Sequence, residues 1–397
     1  MPGYKKTDIG LLPEEWNAVP LYAIGWFKNG INKGSESFGH GSPFVNLMDV
    51  FGVNKIDSDE GLGLVETTDS EQKTYGLKLG DVLFIRSSVK PSGVGLTAVI
   101  EKDITNSVYS GFLLRFRDEG VLDTSFKRYC FYSEIFRRNL INASSVSANT
   151  NINQDNLKKL LLALPPTKKE QHAIATALSD IDALLDSLDR LIAKKRNLKQ
   201  AAMQQLLTGQ TRLPGFSGAW EVKAIHQIAN VGRGRVISHK EISKANNLAY
   251  PVFSSQTFND GIMGYLDTYD FEGDYVTWTT DGANAGTVFA RSGRFNCTNV
   301  CGTIKLQNSN HSFIAAALGA VTQPHVSRHL GNPKLMNDVM KKIEIKLPTT
   351  LAEQSAIADV LSQVDIEINA LVQRKEKTVA LKQGMMQELL TGRTRLL

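Results

Sequence analysis

The sequence predicts an α+β protein with an internal repeat: two globular α/β domains, each followed by one long helix. Two observations carry that reading. The stretch from Leu164 to Pro214 recurs from Leu347 to Leu397 over 51 residues without a gap, with 25 positions identical, which marks duplication rather than chance. The segments in front of both copies show short apolar runs set off by glycine and aspartate, the pattern of strands and turns. The expected bounds are a first domain over 1–163, a helical spacer over 164–210, a second domain over 211–346 and a second spacer over 347–397.

The first domain opens with Leu12-Pro13-Glu14-Glu15-Trp16, loosely echoed by Leu213-Pro214 and Trp220, so the repeat reaches beyond the helices. Val82-Leu83-Phe84-Ile85 follows the turn Leu79-Gly80-Asp81, and Tyr275-Val276-Thr277-Trp278 follows Glu272-Gly273-Asp274. Each pair reads as a tight turn that starts a strand. Each strand runs into a small-residue loop, Arg86 to Gly93 or Thr279 to Asn284, and a further strand leaves over Gly95 to Ile100 or Gly286 to Ala290. A helix is expected over Phe126 to Ile141, with Arg137 and Arg138 as a solvated helix end. Polar loops follow, Ser144 to Ile152 in the first domain and His325 to Lys334 in the second, too poor in apolar side chains to bury themselves.

The repeated stretch reads as a helix. Pro165 and Pro348 stand just before it, and Glu170-Gln171 and Glu353-Gln354 bring acid to its first turn, where the helix dipole favours negative charge. An apolar stripe then runs along Ile174, Leu178, Ile181, Leu185, Leu188 and Ile192 in the first copy, and along Ile357, Leu361, Val364, Ile368 and Leu371 in the second. This 3/4 spacing is that of a coiled-coil seam. The next seam positions are Lys195 and Lys375, after which the apolar face resumes out of phase at Leu198, Ala202 and Leu206, or Leu381, Met385 and Leu389; a shared slip predicts that the two helices pack on each other. Gly209 and Gly392 supply left-handed ends. About 38 residues at a rise of ~1.5 Å make a rod of roughly 57 Å, which suits a spacer better than a core helix.

Composition narrows the function. The chain of 397 residues is long enough for two or more cores, and 42% hydrophobic content is ordinary for a soluble protein. No apolar run approaches the ~20 residues that span a bilayer, and MPGYKKTDIG lacks a signal-peptide core, so a cytoplasmic protein is expected. The net charge of +5 divides into −1 over residues 1–163, from 18 basic and 19 acidic side chains, and +3 over 215–346, from 13 and 10. Bulk charge alone does not announce a nucleic-acid binder, and any such function must rest on local clusters. Cys130, Cys297 and Cys301 read as buried free thiols; Cys297 and Cys301 with His311 lack a fourth ligand and match no zinc spacing. The phosphate loop, the His-Glu-x-x-His helix and the Gly-x-Ser-x-Gly elbow are all absent, and the chain is read as non-catalytic.

With these pieces in place the sequence resembles the specificity subunits of type I restriction-modification systems over its whole length. The most specific residues are Leu-Pro-x-x-x-x-Glu-Gln at 164–171 and 347–354, and Leu-Lys-Gln-x-x-Met-Gln-x-Leu-Leu-Thr-Gly at 198–209 and 381–392. The resemblance implies two target-recognition domains joined by two long antiparallel coiled-coil helices with a pseudo-two-fold axis. Each domain would read one half of a bipartite site in double-stranded DNA. It also implies two methyltransferase (modification) subunits as partners, joined by restriction/translocase subunits. S-adenosylmethionine, ATP and Mg would sit on those partners, leaving no cofactor and no metal in this chain.

For such a function, phosphate contacts give affinity and base-edge contacts give sequence choice, arginine pairing with guanine and asparagine with adenine. Candidates in the first domain are Arg86, Ser87, Ser88, Lys90 and Ser92, with Asn149 and Asn151 from the second polar loop. In the second domain they are Arg233 and Arg235 within Gly232-Arg233-Gly234-Arg235, then Thr279, Thr280, Asp281 and Asn284, and finally His325, Arg328, His329, Asn332 and Lys334. A bland alternative stands beside them: Ser-Gly loops with one arginine are often plain solvated turns, and paired helices also suit a scaffold that no longer reads DNA.

Overall fold

Side-chain alternation makes Val82–Ile85 the middle of a sheet. Val82 and Phe84 enter one apolar cluster with Phe116, Phe131 and Phe136, while Leu83 and Ile85 enter another with Ile100 and Tyr109. A strand with apolar residues on both faces must be covered on both. In the computed structural model, which describes residues 3–328 and 331–396, this strand is third in a five-stranded sheet. The order is Gly25–Asn29, Leu113–Asp118, Val82–Ile85, Thr97–Ile100 and Lys55–Ile56, antiparallel except for the last pair.

The chain forms two compact units, Met1–Leu188 with Arg374–Leu397, and Asp189–Gln373. The second unit repeats the frame of the first. Its four-stranded sheet runs Ala229–Arg233, Cys301–Leu306, Tyr275–Thr279 and Val288–Arg291, all antiparallel. Val276 and Trp278 face the main core with Phe313, Leu318 and Met340, while Thr277 and Thr279 are buried on the opposite face. In each unit a short antiparallel ribbon leads into a long helix: Leu161–Leu164 on Asn17–Pro20 in the first, Glu344–Pro348 on Trp220–Ala224 in the second.

The two long helices are Lys168–Leu206 and Leu351–Leu389, 39 residues each. Each is capped by threonine: the Glu170 amide donates to Thr167 Oγ1 at 3.2 Å and the Glu353 amide to Thr350 Oγ1 at 3.4 Å. Gly209 and Gly392 both stand at φ 70°, three residues beyond the last helical residue. In the first unit the opening of one helix and the close of the other join a single core, Ile174, Ala175 and Leu178 with Leu389 and Leu390. The second unit matches it with Ile357, Ala358 and Leu361 beside Leu206 and Leu207. The first seam positions therefore belong to domain cores. Of the others, Leu188, Ile192 and Ile368 are buried and Ile181, Leu185, Val364 and Leu371 are half-buried. Ion pairs between the helices run antiparallel: Lys195 to Glu367 at 2.5 Å and Lys199 to Asp365 at 2.6 Å within the second unit.

Several expectations need correction. The apolar face does not resume at Leu198 and Leu381, which are exposed; the lysines one position further on, Lys199 and Lys382, take the facing carboxylates Asp365 and Asp182. The helix expected over Phe126 to Ile141 is two, Lys127–Cys130 and Glu134–Asn142, because Ser133 caps the second through the Phe136 amide at 3.3 Å. Arg137 is no solvated end: its Nη2 donates to the Ser92 carbonyl at 2.9 Å. The two Gly-Asp turns also differ. Asp81 is buried and gripped by Arg117 at 2.6 Å from both Nε and Nη2, whereas Asp274 stands near the surface, 3.7 Å from His311. Among the described residues no helix is long and apolar enough to cross a membrane.

Candidate nucleic-acid interface

In the first unit the two polar loops form one surface. Ser87–Ser88 pairs with Thr150–Asn151, which pairs in turn with Ser145–Val146, a three-stranded ribbon of small polar residues. The ribbon is tied to the main sheet by the Arg86 backbone, whose amide donates to the Phe112 carbonyl at 2.9 Å and whose carbonyl accepts from the Ile152 amide at 2.9 Å. The side chains of Arg86, Lys90, Ser92 and Asn149 are exposed, and Ser87, Ser88 and Asn151 are half-buried. Among the described residues neither Arg86 nor Lys90 meets a carboxylate, so both cations face water. Lys90 precedes the short turn Pro91–Gly93, whose middle residue Ser92 is held by Arg137 through its carbonyl.

The second unit repeats the backbone scheme with different side chains. The Thr280 amide donates to the Val300 carbonyl at 3.0 Å and its carbonyl accepts from the Leu335 amide at 2.8 Å, so Thr280 occupies the place of Arg86. Both Thr279 and Thr280 are buried; they form the floor of the surface and present nothing outward. Asp281 and Lys334 pair as an antiparallel bridge, with Nζ 3.7 Å from the carboxylate. Arg233 Nη2 lies 3.1 Å from Asp281 and 3.2 Å from Thr280 Oγ1, and its Nε donates to the Asn299 carbonyl.

Arg235 is held more firmly. Its Nε donates to Asp270 at 2.9 Å, and Nη1 and Nη2 reach Glu241 at 3.1 and 2.6 Å. That hydrogen bond from Arg235 is the main reason the Glu241 carboxyl is held below its ordinary value. Asn284 Nδ2 donates to the Ser255 carbonyl at 3.4 Å, tying in a neighbouring loop. His325, Arg328 and Asn332 are exposed, with Arg328 Nη2 bonded to Gln323 Oε1 at 3.0 Å. His329 lies outside the described residues. The structure thus brings together most of the predicted residues of each domain, but in the second unit it neutralises two arginines that the sequence presents as free.

Three residues escaped the sequence reading. Asn29 ends its strand where Arg233 ends its own, opposite Leu114 as Arg233 is opposite Gly302, and Gln154 Nε2 donates to it at 2.8 Å. Only the matched register marks Asn29 and Gln154 as partners. The third, Phe258, is an apolar residue in a polar loop and carries no sequence signal. The imagined metal set does not assemble: Cys297 and Cys301 are buried with their sulfurs 3.4 Å apart, while His311 Nε2 lies 3.0 Å from Ser292 Oγ. The hydrogen bond from Cys301 and burial push the Cys297 thiol well up. Among the described residues no group of three or more metal-ligating side chains is placed to hold an ion.

Comparison with known proteins agrees with this layout. The family profile of the type I restriction modification DNA specificity domain matches twice, over residues 17–195 and 218–381. Two putative type I specificity subunits of Mycoplasma pneumoniae are similar: one is 44% identical over 139 residues, covering 34% of this chain and 73% of the relative, and another is 34% identical over 213 residues, covering 52% and 84%. The crystal structure of the type I restriction-modification S subunit from M. genitalium has the same fold, with a TM-score of 0.61 at 15% identity over 94% of this chain and 96% of that one. The S subunit from Thermoanaerobacter tengcongensis gives 0.52 at 17% identity over 96% and 98%. With both profile matches falling on the two units that present these polar surfaces, the chain belongs to the family of type I restriction-modification DNA specificity subunits, whose members are non-catalytic recognition components.

Proposed function

We propose that this subunit reads a bipartite DNA target, one half-site for each recognition domain, 1–163 and 211–346. The helical spacers, 164–210 and 347–397, fix the gap between the halves and dock two methyltransferase subunits, to which restriction/translocase subunits add. S-adenosylmethionine, ATP and Mg then belong to the partners, and the complex works in the cytoplasm. The observation that carries this reading is the duplicated frame. One backbone scheme, with Arg86 or Thr280 at its centre, presents two different sets of polar side chains, and each set leads into a 39-residue helix. A shared frame with divergent side chains suits two different half-sites read in the same manner.

The decisive experiment is base-by-base mapping of methylation in the host genome, with and without this gene. The expected outcome is a motif of two short half-sites separated by a fixed gap and lost on deletion. A contiguous motif, or an unchanged methylation pattern on deletion, would refute the reading.

A further inference from the structure

Beside the polar surface of the second unit stands an aromatic ring with no cover. Phe258 is 84% exposed. Single exposed apolar side chains are common and mean nothing by themselves. The backbone beneath this one is unusual: Asn259 at φ 50°, ψ 47°, Asp260 at φ 50°, ψ 26° and Gly261 at φ 80° are three consecutive left-handed residues, two of them not glycine. Asn, Asp and Gly tolerate this conformation, and here the run turns the chain between the paired strands Tyr250–Phe253 and Ile262–Leu266.

The surroundings hold the loop in one shape. Arg291 Nη2 donates to the Asp260 carbonyl at 2.5 Å, and its guanidinium lies 3.7 Å from the ring centre of Phe253 and 4.4 Å from that of Phe289. Gln256 Nε2 donates to the Ile262 carbonyl at 2.5 Å, and the Ser254 amide closes the loop on the Gly261 carbonyl at 2.9 Å. The loop therefore sends Phe253 inward, covers Phe253 and Phe289 with a cation, and still leaves Phe258 outside. Its other neighbours are the recognition residues: Asn284 is bonded to Ser255, and the Phe253 carbonyl accepts from the Thr298 amide at 2.8 Å, at the turn that carries the Asn299 carbonyl held by Arg233.

The first unit has a counterpart at the same point. Its Val45 carbonyl accepts from the Ser110 amide at 2.9 Å, as Phe253 does from Thr298, and the segment that follows carries Met48, 71% exposed. Two different sequences thus display an apolar side chain where the frame places the loop next to the polar surface.

We propose that Phe258 is a stacking wedge, inserted against a base step of the half-site that this domain reads. Apolar side chains used in this way partly unstack the duplex, and every base offers a face for stacking. Asn284, tied to the loop through Ser255, and the other polar residues of this surface, Lys334 and Arg328, would hold the backbone and base edges, so the wedge adds affinity and a preference for an easily deformed step. This inference rests on the DNA-reading function proposed above.

The test uses the full chain in complex with its methyltransferase partner and a duplex bearing the site found by methylation mapping, titrated over a series of KCl concentrations. Phe258→Ala is expected to weaken site binding roughly five- to a hundredfold, and Phe258→Trp to keep it. The slope of affinity against salt should stay unchanged in both, because stacking releases no counterions. Binding by Phe258→Ala within twofold of the unaltered complex would overturn the wedge while leaving the DNA reading intact. Failure of Phe258→Ala to assemble with the methyltransferase in the absence of DNA would show a protein contact instead and also overturn it. If the unaltered complex has no salt-dependent site binding, the DNA reading itself fails and takes the wedge with it.

Discussion

Arg395 reaches Glu170 through two parallel hydrogen bonds, Nη2 to Oε2 at 2.9 Å and Nε to Oε1. In the other unit Arg212 does the same to Glu353, at 2.7 and 2.5 Å. Each bridge joins one copy of the repeat to the other: the glutamate opens one long helix and the arginine follows the end of its counterpart. Lys382 with Asp182 and Lys199 with Asp365, at 2.5 and 2.6 Å, form a second reciprocal set. All four residue types stand at matching places in both copies, because each copy supplies one end of every bridge.

Glu170 and Glu353 are both 2% exposed, so removing an arginine leaves a buried carboxylate without its cation, Glu170 keeping the Trp16 Nε1 hydrogen bond at 3.3 Å. Arg395→Ala should destabilise the first unit by about 3 kcal/mol, and Arg212→Ala the second by a similar amount. Hydrogen exchange checks this: Arg395→Ala should speed exchange in the helix start at 168–178 and spare 351–361. Equal loss in both helix starts would contradict local bridging.

Arg235 is spent on Glu241 and Asp270, which sets its response to mutation. Replacing both carboxylates, Glu241→Gln with Asp270→Asn, should release the guanidinium toward phosphate, raising non-specific DNA affinity and steepening the salt dependence by about one unit of slope. The pH sign follows from the depressed Glu241 carboxyl. The bridge is fully present above the ordinary carboxylate value of 4.5 and is lost only as pH falls through the lower folded value. The difference in salt slope between that variant and the unaltered chain should therefore stay constant between pH 6 and 8, and a difference that changes across that window would sink the assignment.

Arg86 and Lys90 have no such restraint. Arg86→Ala should lower the salt slope by about one and weaken binding to all sequences alike if it meets phosphate, or relax one base of one half-site if it meets guanine. Arg328→Ala should likewise affect only the half read by the second domain. Methylation mapping of each variant separates the cases, and relaxed sequence choice at both halves from either single substitution would contradict separate readers.

The long helices and the strands after Gly80 and Gly273 were legible because each depends on local periodicity or local turn chemistry; that Ser87–Ser88 pairs with Thr150–Asn151 was not. Nor was side-chain fate. Thr279 and Thr280 look like surface residues in sequence, but both are buried where the strand Tyr275–Thr279 ends, Thr279 held by Thr287 and Thr280 by Val300 and Leu335. Arg137 reads as a helix end until the chain breaks at Ser133 and turns it onto Ser92. Leu198 and Leu381 continue an apolar pattern yet remain exposed, because Lys199 and Lys382 take the facing positions. Each miss concerns a contact between residues far apart in sequence, which no local pattern encodes.

The spacer role makes the sharpest demand on the helices. Four extra residues add about 6 Å of rise, a little under two base pairs at about 3.4 Å each. Placing them in one helix alone would set that helix out of step with its partner, whereas insertions after Arg190 and after Gln373, equivalent positions of the repeat, leave the Lys199–Asp365 and Lys382–Asp182 bridges each within an unaltered stretch. The doubly extended chain should methylate the same two half-sites with a gap longer by one or two base pairs, while a single insertion should lose activity or tolerate both gaps poorly. Genome-wide methylation mapping reads both outcomes. Altered half-sites at the original gap would mean that the helices do not measure the distance.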